Sequence, residues 1–132
     1  MHSSQPDNAL RALLDSLGIS ADVLSRRNLP FHAEATTLVV AETDAAGREF
    51  RLIPQASLAW WNMKQAARED DVVIEIVSAF RSLERQADII RAKLAKDMPV
   101  DTILTLSAPP GYSEHHTGRA VDINTPGCEA TE

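Results

Sequence analysis

Residues 113–122 read SEHHTGRAVD, and they follow the loop formed by Pro109-Pro110-Gly111. Two prolines and a glycine in a row favour a rigid turn, so this loop ends just before the motif. From Gly118 onward the chain can run extended, and we expect a short strand over residues 119–124. Successive side chains of a strand alternate between its faces, so Gly118, Ala120 and Asp122 should share one face. Two of these three residues are very small, and the sequence therefore predicts open space beside the strand.

The most informative residue of this segment is Asp122, a carboxylate between Val121 and Ile123, which we expect to face a hydrophobic core. Burying an unpaired carboxylate is costly, so Asp122 needs a metal ion or a cationic partner. His115 and Asp122 offer one nitrogen and one oxygen, both suitable ligands for zinc. A histidine and an aspartate at this spacing are also compatible with a hydrogen-bonded pair or with two unrelated surface residues. Spacing alone does not decide between these readings.

The hydrophobic patterns outside the motif predict an α+β fold with a small antiparallel sheet flanked by helices. Residues 72–77 are rich in β-branched side chains and favour a strand. Ser82 follows and can cap a helix with one apolar side. The turn sequence Asp44-Ala45-Ala46-Gly47 separates two further strand-like runs and indicates a hairpin. We found no repeat or linker, so we expect a single domain over residues 1–132. The predicted helices cover 8–16, 55–69, 82–96 and 100–106 with a helical turn at 20–26, and the predicted strands cover 37–42, 48–53, 72–77 and 119–124.

The composition is that of a globular protein, with 44% hydrophobic and 24% charged residues and a formal net charge of −6. This charge argues against nucleic acid as a partner, because phosphate binding needs a basic surface. Basic residues do gather over 81–96, but Glu84 and Asp88 are interleaved with them, which is typical of a solvated helix face. No apolar run is long enough to span a bilayer, so we expect no membrane span.

The chain has one cysteine, Cys128, so any metal site must use histidine and carboxylate ligands. His2 and His32 are expected at the surface, and Trp60 and Trp61 are expected to pack in or beside the core. The first residues lack the basic and apolar regions of a secretory signal, which predicts a cytoplasmic location. The periplasm or cell wall is the alternative if a signal has been removed. Nothing in the sequence indicates an oligomeric state.

The 113–122 segment resembles the Ser-x-His-x-x-Gly-x-Ala-x-Asp signature of the VanY-type D-alanyl-D-alanine carboxypeptidases. These zinc peptidases are related to the VanX dipeptidases, the lysostaphin-type endopeptidases and the hedgehog domains. A second block, SAFRSLERQ at residues 78–86, is similar to the family's Ser-Gly-Tyr-Arg-Ser-x-x-x-Gln. It follows a predicted strand and opens a predicted helix, which is the context it has in the family. The resemblance covers residues 55–126 well and residues 1–54 only loosely.

The resemblance implies a fold of the hedgehog and D-Ala-D-Ala peptidase type and a zinc cofactor. It also implies a role for each matched residue. His115 and Asp122 would be two of the three protein ligands of Zn²⁺. Arg81 would hold the substrate and stabilise negative charge on the attacked carbonyl oxygen. Ser113 would hydrogen-bond the substrate, and Gln86 would help to shape the pocket. The implied reaction is hydrolysis of the C-terminal D-amino acid from a peptidoglycan stem peptide.

The sequence departs from the family after Asp122. The family continues with a Glu-x-x-His segment that supplies the general base and the last zinc ligand, whereas here Glu129 and Glu132 follow without a histidine. We therefore expect a domain that lacks its C-terminal segment. The alternatives are that another chain supplies this segment, or that the protein is a degenerate relative that binds peptidoglycan peptides without cutting them. An L,D-carboxypeptidase and a phage-type endolysin also fit the same motifs.

Overall fold

The computed structural model of the chain describes residues 7–126. These residues form two compact units. The helical unit contains residues 7–34 and Ser82–His116, and the sheet unit contains Ala35–Arg81 and residues 117–126. The prediction of one domain over residues 1–132 stays a prediction. In chain order the elements are α1 (Asn8–Ser16), α2 (Ala21–Arg27), β1 (Val39–Thr43), β2 (Glu49–Leu52), α3 (Pro54–Glu69), β3 (Glu75–Ser78), α4 (Leu83–Leu94), α5 (Val100–Leu106), a 3-10 helix (Glu114–Thr117) and β4 (Asp122–Asn124).

The helical unit is built from amphipathic helices whose ends carry the expected caps. Asp7 precedes α1, and its side chain accepts a hydrogen bond from the backbone N–H of Leu10 at 2.9 Å. Ser82 caps α4 in the same way, by accepting from the N–H of Arg85 at 3.0 Å. The predicted bounds of α1 and α5 are confirmed. The apolar faces of these helices meet in one core of Leu10, Leu14, Leu17, Ile19, Leu24, Ala87, Ile90, Ile103 and Leu104.

The sheet unit holds two antiparallel strand pairs, β1 with β2 and β3 with β4. The β1–β2 hairpin pairs Val39 with Leu52 and turns at Asp44, whose Oδ1 accepts hydrogen bonds from the backbone N–H groups of Ala46 and Arg48. Helix α3 begins at Pro54, a residue well suited to the first turn. The core of this unit contains Ala41, Phe50, Leu52, Trp60, Ile74, Ile76 and Ala79. The predicted α+β class with small antiparallel sheets is confirmed.

Strand β3 begins later than the sequence predicted. The β-branched run led us to expect a strand over 72–77, but Val72 and Val73 precede β3 and are exposed. Asp71 has a φ of 59°, and the N–H of Val72 bonds to the carbonyl of Ala67 at 2.8 Å. These two features close α3 with a left-handed residue of the kind that ends many helices. The N–H of Val72 is therefore engaged by the helix end and not by a strand.

Strand β4 is shorter than predicted, and Gly118 does not run extended. Its φ is 69°, and its carbonyl accepts a hydrogen bond from the N–H of Ile53 at 2.9 Å. The regular strand covers only Asp122–Asn124. The predicted face shared by Gly118, Ala120 and Asp122 is therefore wrong at its first residue. The expectation of a core-facing Ile123 is also wrong, since this side chain is 42% exposed.

The remaining expectations concern the surface of the chain. Within residues 7–126, no helix has the length and apolar character needed to cross a membrane. In the basic stretch, Arg91 contacts Asp88 at 2.9 Å and Glu84 at 3.2 Å, as expected for a solvated helix face. Hydrogen bonds to Asp88 and Glu84 raise the pKa of Arg91 above its ordinary value. His2 and Cys128 lie outside the described residues.

Candidate functional site

The structure brings together two of the predicted site residues, Arg81 and Asp122, at the end of the β3–β4 pair. Ser78, the last residue of β3, is the ladder partner of Asp122, the first residue of β4. Arg81 follows three residues later. Its Nε donates to the Oγ of Ser78 at 2.9 Å, and its Nη2 donates to the Oδ2 of Asp122 at 3.2 Å. We call Ser78, Arg81 and Asp122 the arginine centre.

In the arginine centre, Arg81 and Asp122 balance each other's charge. The Arg81 side chain is only 12% exposed, and its charge is balanced by a carboxylate of the same unit. An arginine just before a helix is not favoured by the helix dipole, and Asp122 supplies the opposite charge that stabilises it there. The cationic partner that the carboxylate of Asp122 requires is the guanidinium of Arg81. The carboxylate is 46% exposed and not buried as expected, so one side of it remains open to solvent.

Ser113 and His115 lie in the helical unit, where the loop leads into the 3-10 helix. Ser113 is 5% exposed, and its Oγ accepts a hydrogen bond from the N–H of His115 at 3.2 Å. Its carbonyl accepts from the N–H of His116 at 3.1 Å. The serine therefore caps the short helix that carries His115. The predicted contact of Ser113 with substrate and the predicted metal-binding role of His115 stay predictions.

Gln86 is not an exposed helix residue but one of the most buried polar side chains, with 1% exposure. It lies on α4, and its Nε2 donates to the carbonyl of Ala108 at 2.8 Å. Ala108 immediately precedes the Pro109-Pro110-Gly111 loop. Gln86 thus holds the start of the loop that leads to the motif, and the pocket-shaping role implied by the resemblance stays a prediction.

The sequence gave no structural role to His116, and the structure shows one. Its side chain is fully buried, and its Nε2 accepts a hydrogen bond from the N–H of Gly111 at 3.0 Å. Gly111 has a φ of 90°, and an added Cβ would lie 2.7 Å from Cδ2 of Leu10. His116 therefore fixes the end of the loop, while Gln86 fixes its start. The signal available in the sequence was a second histidine directly after the proposed ligand.

The described residues do not complete a zinc site. Between residues 7 and 126 there is no group of three or more His, Cys, Asp or Glu side chains that could hold a metal ion. His115 and Asp122 have the right donor atoms, and their role as zinc ligands stays a prediction. A catalytic zinc ion normally has three protein ligands and an open position. Glu129 and Glu132 lie outside the described residues.

A cavity of about 370 Å³ lies in the sheet unit, beside the segment where the sequence predicted open space. Its lining includes Arg119 and Val121, and the small residues Gly118 and Ala120 are not part of it. Trp60 also lines it and is a core residue, as expected. Trp61 is half-exposed and donates from Nε1 to the carbonyl of Ala41 at 2.9 Å. The predicted core packing of Trp60 is confirmed, and Trp61 contacts the core residue Ala41 through this hydrogen bond.

Comparison with protein families identifies the chain. The family model of the VanY D-alanyl-D-alanine carboxypeptidases matches residues 49–132. The chain therefore belongs to the VanY family, a family of zinc-dependent hydrolases that act as carboxypeptidases. The resemblance found in the two sequence blocks is confirmed. None of the curated proteins searched matches the chain significantly.

Solved structures of related peptidases are similar to the chain. VanYB in complex with D-alanine-D-alanine is 31% identical over 80% of this chain, with a TM-score of 0.59. A glutamate-to-alanine variant of the VanY D,D-pentapeptidase from a VanB-type resistance cassette, in complex with Zn(II), is 30% identical over 76%, with a TM-score of 0.53. The L,D-carboxypeptidase LdcB is 28% identical over 78%, with a TM-score of 0.64. The matches cover 60%, 57% and 50% of those three chains, respectively.

Proposed function

We propose that this chain binds peptidoglycan stem peptides at their C-terminal D-amino acid and takes part in the zinc-dependent hydrolysis of the last peptide bond. The observation that carries the proposal is the arginine centre in a chain of the VanY family. Arg81 is nearly buried and held at Nε and Nη2, so its guanidinium is fixed before any ligand arrives. A fixed cation of this kind favours a developing negative charge more than a mobile one does.

The roles proposed for the other residues follow their positions. Ser113 and His115 share one capped turn, so a change at either residue should also affect the other. Gln86 and His116 hold the loop before this turn from its two ends. His115 and Asp122 stay the proposed zinc ligands. The chemistry that the described residues supply on their own is recognition of negative charge.

A second candidate function is binding of stem peptides without hydrolysis. The observation that favours it is that residues 7–126 contain no cluster of three metal-binding side chains. A zinc ion with two protein ligands would be held weakly, and no general base has been assigned. Both candidates use the same arginine and the same peptide, so they differ only in whether D-alanine is released.

The preference for D,D or L,D substrates is open within the proposal. VanYB is solved with D-alanine-D-alanine, and LdcB is an L,D-carboxypeptidase. A pentapeptide stem that ends in D-Ala-D-Ala and a tetrapeptide stem that ends in a single D-Ala therefore serve as the two test substrates. Preferential release from one of them assigns the specificity.

The test measures D-alanine release and peptide binding by the 132-residue chain at saturating zinc, with Arg81→Ala and Arg51→Ala as a matched pair. Arg51 is an exposed arginine of the sheet unit that contacts Glu49. We expect Arg81→Ala to lower turnover about 100-fold, as loss of one stabilising group commonly does, with saturated zinc content unchanged. Arg51→Ala should behave like the wild type.

The outcomes of this test distinguish hydrolysis from binding without hydrolysis. Release that depends on Arg81 supports the enzyme, and binding without release that depends on Arg81 supports the second candidate. Unchanged turnover in Arg81→Ala removes Arg81 from the site. A wild-type chain that neither binds nor cleaves either peptide refutes both candidate functions for this chain.

A further inference from the structure

We propose that the cavity beside α3 in the sheet unit is a second binding site, for a small molecule that carries a carboxylate on an apolar body. The cavity does not use the arginine centre, because neither Arg81 nor Asp122 lines it. The proposal therefore goes beyond the proposed function and does not depend on it.

The cavity has the size and the apolar wall of a small-molecule site. Its volume of about 370 Å³ lies within the range of about 300–1,000 Å³ that is usual for ligand pockets. Leu52 and Trp60 belong to the core of the unit, and Val121 packs against that core, so this wall is fixed before a ligand arrives. Met63 completes the lining from α3 and is 45% exposed, which leaves its flexible side chain free to adapt to a ligand.

The charge of the lining points to an anionic ligand. Among the described residues that line the cavity, Arg119 is the one that carries a charge, and its side chain is exposed. No carboxylate between residues 7 and 126 pairs with its guanidinium. A guanidinium binds a carboxylate through two parallel hydrogen bonds. One cation matches the single charge of a carboxylate better than the nearly double charge of a phosphate group.

Trp60 provides a separate indication that a polar atom belongs in this cavity. The residue is 2% exposed, and its Nε1 is buried with no hydrogen-bond acceptor in the described part of the chain. A buried indole N–H usually has a partner, and leaving it unpaired is costly. Trp61, the next residue, has such a partner in the carbonyl of Ala41. A ligand oxygen in the cavity would supply the acceptor that Trp60 lacks.

The carboxylate belongs either to a short fatty acid or to the C-terminal apolar residue of a peptide. Hexanoate and N-acetyl-leucine represent these two sources, and the one that binds more tightly identifies the source. Hexanamide is the control ligand, because it keeps the apolar body and an acceptor oxygen but has no charge. Solvent is the alternative occupant of the cavity, and it predicts no saturable binding of any of the three.

The experiment is an NMR titration of the 132-residue chain with each ligand, followed through the indole N–H signal of Trp60. Trp61→Phe assigns this signal by removing the other tryptophan. We expect a saturable shift with at least one of the two carboxylates. Hexanamide should bind about two- to fivefold more weakly than hexanoate, the usual range for loss of an exposed ion pair.

Two arginine variants test the charge. Arg119→Gln should weaken carboxylate binding by the same factor of about two to five and leave hexanamide binding unchanged. Arg51→Gln is the matched control, because Arg51 is an exposed arginine of the same unit that contacts Glu49 and does not line the cavity. It should bind all three ligands like the wild type.

Two alanine variants of α3 test the location. Ala59 lines the cavity from the exposed part of the helix, whereas Ala66 is an exposed alanine of the same helix outside the lining. Leucine is a good helix former, so both Ala59→Leu and Ala66→Leu should fold. Ala59→Leu should lower the affinity about tenfold or more, because the larger side chain fills part of the cavity. Ala66→Leu should leave the affinity unchanged.

Four results would overturn the proposal. They are no saturable shift of the Trp60 signal with either carboxylate, hexanamide binding as tight as hexanoate binding, equal effects of Arg119→Gln and Arg51→Gln, and equal affinities of Ala59→Leu and Ala66→Leu. None of these titrations measures D-alanine release or uses a stem peptide. Failure of the proposed function and failure of this second site are therefore seen in different experiments.

Discussion

Substituting Gly118 by alanine should destabilise the sheet unit more than an ordinary glycine substitution does. Gly118 has a φ of 69°, a conformation that costs an alanine about 1–2 kcal/mol. An added Cβ would also lie 3.0 Å from Cγ2 of Ile53, 3.0 Å from Cδ2 of Leu38 and 3.2 Å from the backbone nitrogen of Ile53. That nitrogen donates to the carbonyl of Gly118, so the backbone cannot move away without loss of the hydrogen bond.

The expected loss is the sum of two terms. The backbone term is about 1–2 kcal/mol, and overpacking against Ile53 and Leu38 adds about 1–3 kcal/mol. The total for Gly118→Ala is about 2–5 kcal/mol of unfolding free energy. Gly47→Ala is the matched control, because Gly47 has a φ of 85° and no atom within 4 Å of the added Cβ. It should lose only the backbone term.

The assay is urea unfolding of both variants, followed by tryptophan fluorescence, because buried Trp60 lies in the sheet unit. At about 1–3 kcal/mol per molar urea, Gly118→Ala should move the midpoint about 1 M further than Gly47→Ala does. Equal losses in the two variants would show that the close approach at Gly118 does not constrain the chain. The role of this glycine would then be conformational only.

Two further changes test the hydrogen bonds that support the site. Gln86→Leu should lower the free energy of unfolding by about 1–3 kcal/mol, because it leaves the carbonyl of Ala108 without the buried donor that fixes the loop. Thermal unfolding measures this loss, and an unchanged unfolding midpoint would contradict the prediction. Trp61→Phe removes the donor to the carbonyl of the core residue Ala41 and should cost about 1 kcal/mol. The hydrogen-exchange protection of nearby amides should fall, and unaltered stability and exchange would show that this bond contributes nothing.

Local sequence predicted most of the secondary structure, because the helices and the hairpin carry their own caps and turns. Asp7 and Ser82 cap helices as expected, and Asp44 organises the turn between β1 and β2. The start of β3 was wrong because the β-branched pattern does not show that Asp71 closes α3 first. A capping bond from Val72 to the helix end outweighed strand propensity there.

The sequence named Arg81 and Asp122 as candidate site residues but did not predict the contact between them. The two sequence blocks placed Arg81 and Asp122 in one family signature, yet neither block shows that they bond to each other. Ser78 was quoted only as part of a motif, and its bond to Arg81 depends on the pairing of β3 with β4. Strand register is a long-range property, so spacing along the chain could not reveal it.

The sequence by itself determined the family, the α+β class and the residue types that can recognise negative charge, because motifs and hydrophobic periods are local. Tertiary structure decided how the charges are balanced and how the motif is presented. The strand expected over 119–124 is regular only from Asp122 onward, and Gly118 adopts a positive φ where its carbonyl bonds to the N–H of Ile53. Asp122 pairs with Arg81 because two strands separated along the chain align there. Such pairing depends on the folded packing of distant segments, which no single segment encodes.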